Sequence, residues 1–106
     1  MKRIRVSHHA RRDLDTIWHY IANDASSTDI ADRVIDSIVA QFAFLARQPE
    51  AGRSRKDIGS QVRSFPSGNY LIYYRDSKPR LVIARILHGK RDQLGARRLR
   101  DAILTP

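Results

Sequence analysis

Near Gly52 the spacing of apolar residues changes between two long stretches of the chain, and that change constrains the fold more than any other feature. Before this point, apolar residues recur every three or four positions, as on one face of a helix. After it, apolar and polar residues alternate, as in strands that bury one side. The chain is therefore expected to pack helices against a sheet.

Two amphipathic helices are predicted in the first half. The first covers residues 8 to about 23, with Ser7 as a candidate N-cap, and the second is capped by Ser27 or Thr28 and ends before Pro49. Because only a short loop joins them, they should form an antiparallel hairpin. Their apolar stripes are Ala10, Leu14, Ile17 and Ile21 in the first helix, and Ala31, Val34, Ile35, Ile38, Phe42 and Leu45 in the second.

Strands are predicted at both ends of this hairpin. Residues 4–7 form a short strand that joins a sheet made later in the chain. Three further strands cover residues 61–65, 70–75 and 80–87, and turn-forming residues at 66–69 and 76–79 separate them. Their succession indicates an antiparallel meander.

The predicted architecture is an α+β fold with the order β-α-α-β-β-β. The helical hairpin packs on one face of a small antiparallel sheet and leaves the opposite face partly open. Residues 1–106 are expected to form a single domain. Within it, residues 93–106 are either a basic mobile tail or a short helix with Leu99 and Ile103 on one face.

Composition limits the classes of function. The 20 basic and 11 acidic residues give a net charge of +9, which favours an acidic partner. The chain contains no cysteine, which excludes disulfides and thiolate chemistry and fits a reducing cytoplasm. No signal peptide is visible, and no apolar stretch approaches the roughly 20 residues of a membrane span. A cytoplasmic location is expected, without membrane contact.

Arginines cluster at the ends of the predicted strands. Arg63, Arg75, Arg85 and Arg91 would offer fixed hydrogen-bond donors to something acidic. That partner is either a peptide rich in carboxylates or a phosphate backbone, and the pattern alone does not choose between them.

His88 follows the last predicted strand, beside Arg91. A histidine near arginines can act as a general base in phosphodiester cleavage, but a histidine at a strand end also commonly hydrogen-bonds a neighbouring loop. His8 and His9 are adjacent and point to different faces of a helix, so no metal site or other cofactor is predicted.

The aromatic residues have a structural and a functional interpretation. Tyr70 and Tyr74 fall on one face of their strand and Tyr73 on the other, so at least half of them belong to the core. The pattern therefore favours packing in the core over base stacking. Trp18 borders the first helical stripe, where it can pack on the second helix or contact a partner.

Several blocks occur together in a specific order, and together they resemble the ParE branch of the RelE/ParE superfamily of toxin–antitoxin toxins. The resemblance covers residues 3–92. The blocks are Ala10-x-x-Asp13-Leu14-x-x-Ile17-Trp18-x-Tyr20-Ile21, Leu45-x-x-x-Pro49-x-x-Gly52-Arg53-x-Arg55, Val62-Arg63-Ser64-Phe65, Tyr70-Leu71-Ile72-Tyr73-Tyr74-Arg75 and Ile86-Leu87-His88-Gly89-x-Arg91-Asp92.

The resemblance implies a mode of action. RelE-like members are ribosome-dependent mRNA endonucleases that use basic residues and, typically, a C-terminal tyrosine. Arg63 and Arg91 match basic positions, but Tyr70 replaces the central-strand arginine, Arg97 falls near the expected tyrosine, and no tyrosine follows Tyr74. ParE-like members lack this set and are described as DNA gyrase poisons. The resemblance thus implies a gyrase inhibitor that acts by binding and has no catalytic residues.

The alternative is an mRNA endonuclease with a rearranged site of His88, Arg63 and Arg91. The resemblance also implies a ParD-like antitoxin whose acidic C-terminal segment wraps the toxin in a hetero-oligomer, with DNA reached only through that antitoxin. The residues predicted to bind the antitoxin or the target are Arg63, Arg75, Arg85, His88, Arg91 and Trp18.

Overall fold

The computed structural model describes residues 2–91 and 95–104 and confirms the predicted fold class. A helical hairpin packs on a five-stranded sheet with the strand order β1-β5-β4-β3-β2. Consecutive strands from β2 to β5 pair antiparallel, whereas β1 pairs parallel to β5. The elements are β1 Arg3–Val6, α1 His8–Asp24, α2 Thr28–Arg47, β2 Arg53–Ser54, β3 Val62–Ser67, β4 Tyr70–Ser77, β5 Arg80–His88 and α3 Ala96–Leu104.

Serine side chains fix the starts of both long helices. Ser7 Oγ accepts a hydrogen bond from the Ala10 N–H at 3.0 Å and donates one to the Ala84 carbonyl at 2.8 Å. Ser27, rather than Thr28, caps α2 by accepting from the Ile30 N–H at 3.2 Å. Since Ser7 bonds to both α1 and β5, the cap also sets where the hairpin sits on the sheet.

The strands extend further into the turns than the turn-forming residues indicated. Ser67 pairs with Tyr70, so only Gly68 and Asn69 form the β3–β4 turn, with Gly68 at a φ of +58°. Pro66 is tolerated within β3 because β2 ends opposite Ser64, which leaves this part of β3 at an edge. The two-residue strand β2 was not predicted, since two residues carry no alternation.

The sheet has two apolar faces. The inner face, covered by α1 and α2, buries Ala10, Ile17, Ile38, Phe42, Leu45, Tyr70, Ile72, Tyr74, Leu81, Ile83 and Ile86. The outer face, partly covered by α3, buries Ile58, Val62, Tyr73, Ala84, Leu87, Leu99 and Ile103. The predicted division of the β4 tyrosines between two faces is confirmed, and residues 96–104 are a helix that buries Leu99 and Ile103, as one of the two alternatives proposed.

None of the helices in the described part of the chain is long and apolar enough to cross a membrane.

Candidate functional site

A groove of about 790 Å³ lies between the helical hairpin and the β3–β4 turn, and we call it the hairpin groove. Tyr20 and Ile30 lie in its wall, and each is 46% exposed although apolar. Exposed apolar side chains in a concave surface indicate a place where a partner is bound. The groove is lined by Tyr20, Ile21, Asp24, Ala25, Ile30, Arg33, Val34, Ser37, Ile38, Gln41, Pro66, Ser67, Gly68, Asn69, Tyr70, His88 and Arg91.

Two arginine side chains lie at the edges of this apolar wall. The Arg91 guanidinium lies 4.0 Å from the centre of the Tyr20 ring, which is a cation–π contact between the end of the sheet and α1. Arg33 projects into the groove from α2, and Asp24 is the acidic side chain in its lining. The groove therefore combines apolar anchors with positive charge.

His88 shapes the turn that carries Arg91. Its Nδ1 accepts hydrogen bonds from the backbone N–H of Lys90 at 3.2 Å and of Arg91 at 2.9 Å. Both bonds require a lone pair on Nδ1, so the neutral ring carries its proton on Nε2. The ring also meets the Tyr70 ring edge to face, with centroids 5.4 Å apart. This arrangement matches the loop-bonding interpretation of the histidine.

The Arg85 side chain forms an ion pair with another residue of the same chain. Its Nε and Nη2 donate to the two oxygens of Asp13 at 2.7 and 3.0 Å, and the Ile86 N–H donates to the same carboxylate at 2.9 Å. Both charged side chains are mostly buried, with 17% and 14% of their surface exposed. These contacts give the Arg85 side chain a structural role within the chain. Its predicted role at a partner interface stays a prediction.

Sequence reasoning placed Asp13 in a motif but did not assign it a function. Its signal was an acidic residue between Ala10 and Leu14, next to an apolar stripe, where a buried carboxylate needs a cationic partner.

Arg63 is also engaged, at the opposite end of the sheet from His88. Its Nη1 donates to the Gly52 carbonyl at 2.8 Å. Arg63 pairs with Tyr74 and His88 pairs with Tyr70, so about 13 Å of β4 separates the two positions. The structure therefore does not bring together the rearranged endonuclease set.

Tyr74 holds the same loop that Arg63 contacts. Its hydroxyl accepts from the Gly52 N–H and donates to the Pro49 carbonyl, both at 2.8 Å. A Cβ on Gly52 would collide with this hydroxyl, so the position requires glycine. Burial raises the pKa of Tyr74 above its ordinary value.

The remaining predicted residues lie apart from the groove. Trp18 is half-buried and donates from Nε1 to Asp32 Oδ1 at 2.8 Å, which joins α1 to α2 and matches its structural interpretation. Arg75 lies on the outer face of β4, half-buried. Asp92, the last residue of the final block, lies outside the described residues.

Across residues 2–91 and 95–104, no group of three or more metal-ligating side chains could hold a metal ion.

The fold is that of toxins from known toxin–antitoxin complexes. A structure titled as the chromosomal ParDE system of P. aeruginosa matches with a TM-score of 0.72 and 21% identity, over 83% of this chain and 96% of that chain. The RelBE2 toxin–antitoxin complex of Mycobacterium tuberculosis matches with a TM-score of 0.63 and 24% identity, over 82% and 96%.

Sequence comparison then defines the family. Residues 4–93 match the family described as the ParE toxin of the type II toxin–antitoxin system parDE. Toxin RelE3 of Caulobacter vibrioides is 35% identical over 90 residues, covering 84% of this chain and 96% of the relative. Toxin ParE1 of the same organism is 31% identical over 88 residues, covering 83% and 90%. The chain belongs to the ParE toxin family.

Proposed function

We propose that this type II toxin inhibits DNA gyrase by binding it, and that a ParD-like antitoxin neutralises the toxin. Gyrase is the target that the resemblance to ParE-like toxins implies, and residues 4–93 match the ParE toxin family. The separation of Arg63 from His88 by about 13 Å along β4 supports binding over RNA cleavage, because general acid–base residues must reach the same reacting group.

The hairpin groove is the observation that carries the antitoxin part of the proposal. An amphipathic segment of the antitoxin would place apolar side chains against Tyr20 and Ile30 and carboxylates near Arg33 and Arg91. Such a segment can be disordered when free and fold as it binds, which spreads contacts over a large surface. A hetero-oligomer of toxin and antitoxin follows from this arrangement.

Two assays on the purified toxin test the mode of action. We expect the toxin to stop DNA supercoiling by gyrase and to leave ribosome-bound mRNA intact, and we expect antitoxin to restore supercoiling. In cells, the toxin alone should cause filamentation and a DNA-damage response. Cleavage of ribosome-bound transcripts with unaffected supercoiling would overturn the proposal, and loss of that cleavage in His88→Ala would assign it to the alternative site.

A matched pair of variants on α2 tests the groove. Ile30 lines the groove and Val39 does not, yet both are exposed apolar residues, at 46% and 43%. Ile30→Asp should weaken antitoxin binding roughly 30-fold, because about 2 kcal/mol is lost when an apolar anchor becomes a charge. Val39→Asp should change it less than about threefold. Calorimetric titration measures both, and equal losses in the two variants would place the antitoxin elsewhere.

A further inference from the structure

Four arginines share one end of the outer face, and we call them the arginine cluster: Arg3, Arg5, Arg75 and Arg80. In the sheet register, Arg3 lies beside Arg80, whereas Val82 lies between Arg5 and Arg75. The residues alternating with them, such as Ile4 and Val6 in β1, point to the inner face with the hairpin. The cluster therefore lies on the half of the outer face away from Leu71 and Leu87, which contribute to the apolar patch under α3.

The close spacing of these charges is unfavourable for the isolated protein. Neighbouring strands are about 4.8 Å apart and alternate residues of one strand about 6.6 Å apart, so the cations stand near one another. Like charges directly opposite each other in a sheet are destabilising, and Arg3 and Arg80 are such a pair. Across residues 2–91 and 95–104, neither of them, nor Arg5, has an ion pair or hydrogen bond through its side chain.

In the part of the chain that the structure describes, no acidic side chain forms an ion pair with these four arginines. Asp76 neighbours Arg75 in sequence but points to the inner face, where its Oδ1 lies 3.1 Å from the Lys2 ammonium, near enough for an ion pair though not aligned as a hydrogen bond. Arg75 Nε is a buried donor without an acceptor in the described part of the chain. Such a group normally finds a partner. An anion from outside the protein can reach the exposed side chains of Arg3, Arg5 and Arg80 and would supply the negative charge there.

The distribution of charge along the chain favours the same face. Residues 7–48, which form the hairpin, carry four arginines and six aspartates. The rest of the chain carries 16 basic and five acidic residues. The hairpin is thus slightly acidic, whereas the remainder of the chain, which includes the sheet and α3, is strongly basic, and this separation disfavours approach of a polyanion from the hairpin side.

The chemistry of the cluster distinguishes among polyanions. A protein partner needs an apolar centre, but Val82, between two of the arginines, is only 7% exposed. Single-stranded nucleic acid needs exposed aromatic rings, but Tyr73, the aromatic residue described on the outer face, is 6% exposed. Duplex DNA needs neither, because it presents one negative charge per roughly 1.7 Å of its axis.

We propose that the arginine cluster binds the phosphate backbone of duplex DNA, at a surface separate from the hairpin groove. The contact carries no sequence preference, since phosphates carry no sequence information. This assignment departs from the expectation that the toxin reaches DNA only through its antitoxin. It does not depend on gyrase being the target.

Fluorescence anisotropy with a labelled 20-base-pair duplex tests the proposal on the toxin alone. In Arg3→Gln/Arg80→Gln, two phosphate contacts are lost, so the slope of log K against log salt should become shallower by about 1.8 and affinity should fall roughly 10- to 50-fold near 0.1 M salt. The control Arg12→Gln/Arg47→Gln removes the same charge from exposed positions of the hairpin and should change affinity less than about threefold.

Further measurements test whether the arginine cluster binds duplex DNA. Arg5→Gln alone should reduce the slope of log K against log salt by about 0.9. This single variant replaces the double variant if circular dichroism shows that the double variant does not fold. Absence of DNA binding, or equal losses in cluster and control variants, would overturn the proposal. Tighter binding of a single-stranded RNA 20-mer, or competition by poly-glutamate as effective as that by duplex, would reassign the cluster to RNA or to an acidic protein.

Discussion

The arginines on the two faces of the sheet have different surroundings. On the hairpin side, Arg63 donates to the Gly52 carbonyl and Arg85 forms a two-pronged pair with Asp13. On the outer face, Arg3 and Arg80 are exposed neighbours whose side chains have no partner in the described part of the chain. The first two fasten the hairpin and its loop to the sheet, whereas the second two leave charge available for a ligand.

This difference separates two uses of one residue type. A buried guanidinium needs a fixed acceptor, because an unpaired buried charge is costly. The role of such a paired arginine is to hold parts of the fold together. An exposed group of like charges does not stabilise the fold, and its role is the attraction of an oppositely charged ligand. Mutations of Arg63 and Arg85 should therefore affect folding, whereas mutations of the exposed arginines Arg3 and Arg80 should affect ligand binding.

Asp13→Ala should give the largest loss of stability and tests the inner half of the comparison. It leaves the Arg85 guanidinium and the Ile86 N–H without their acceptor in a mostly buried place. Removing one member of a buried pair costs about 3–5 kcal/mol in free energy of unfolding. Urea denaturation followed by circular dichroism measures the change.

A double replacement serves as the control for that variant. Asp13→Leu/Arg85→Met removes both charges and should recover the part of the loss that comes from the unpaired Arg85, since apolar groups of similar volume can replace a buried pair, whereas the Ile86 N–H still lacks its acceptor. A loss below about 1 kcal/mol in Asp13→Ala would contradict a fastening role for this pair.

Tyr74→Phe should have an intermediate effect on the same face. It leaves the Gly52 N–H and the Pro49 carbonyl without their partner, at a cost of about 1–3 kcal/mol. The variant should also respond less to alkaline pH. Because burial raises the Tyr74 pKa above 10.0, its contribution is complete below about pH 10 and is lost as pH rises through the raised pKa. Urea denaturation between pH 8 and pH 11 measures both effects, and identical pH profiles for the two proteins would contradict the second.

Much of the fold followed from local patterns in the sequence. The helical periods and the serine caps located α1 and α2, because both signals depend only on neighbouring residues. Alternation located the long strands, but it missed β2 and placed the end of β3 too early at Pro66. That proline is compatible with the strand only because β2 stops beside Ser64, which is a property of the sheet and not of the segment.

The candidate site was less accessible to prediction. Arg85 and Arg91 both lie near apolar stretches of the last strand. Arg85 pairs with Asp13, whereas Arg91 stacks on Tyr20. Both partners lie on α1, some 70 residues away in the chain, so no local pattern reveals them. Arg3 and Arg80 become neighbours only because β1 joins the sheet beside β5, at the far end of the sequence.

Arg80→Gln should have the smallest effect on stability and tests the outer half of the comparison. Removing one of two facing charges relieves repulsion with Arg3, so the free energy of unfolding should stay unchanged or rise by up to about 0.5 kcal/mol. Any gain should disappear near 1 M salt, where the screening length falls to about 3 Å. Urea denaturation at low and high salt measures this difference. If the free energy of unfolding falls by more than about 1 kcal/mol, Arg80 stabilises the fold. Arg80 would then resemble Asp13, and the proposed difference between paired and exposed arginines would be wrong.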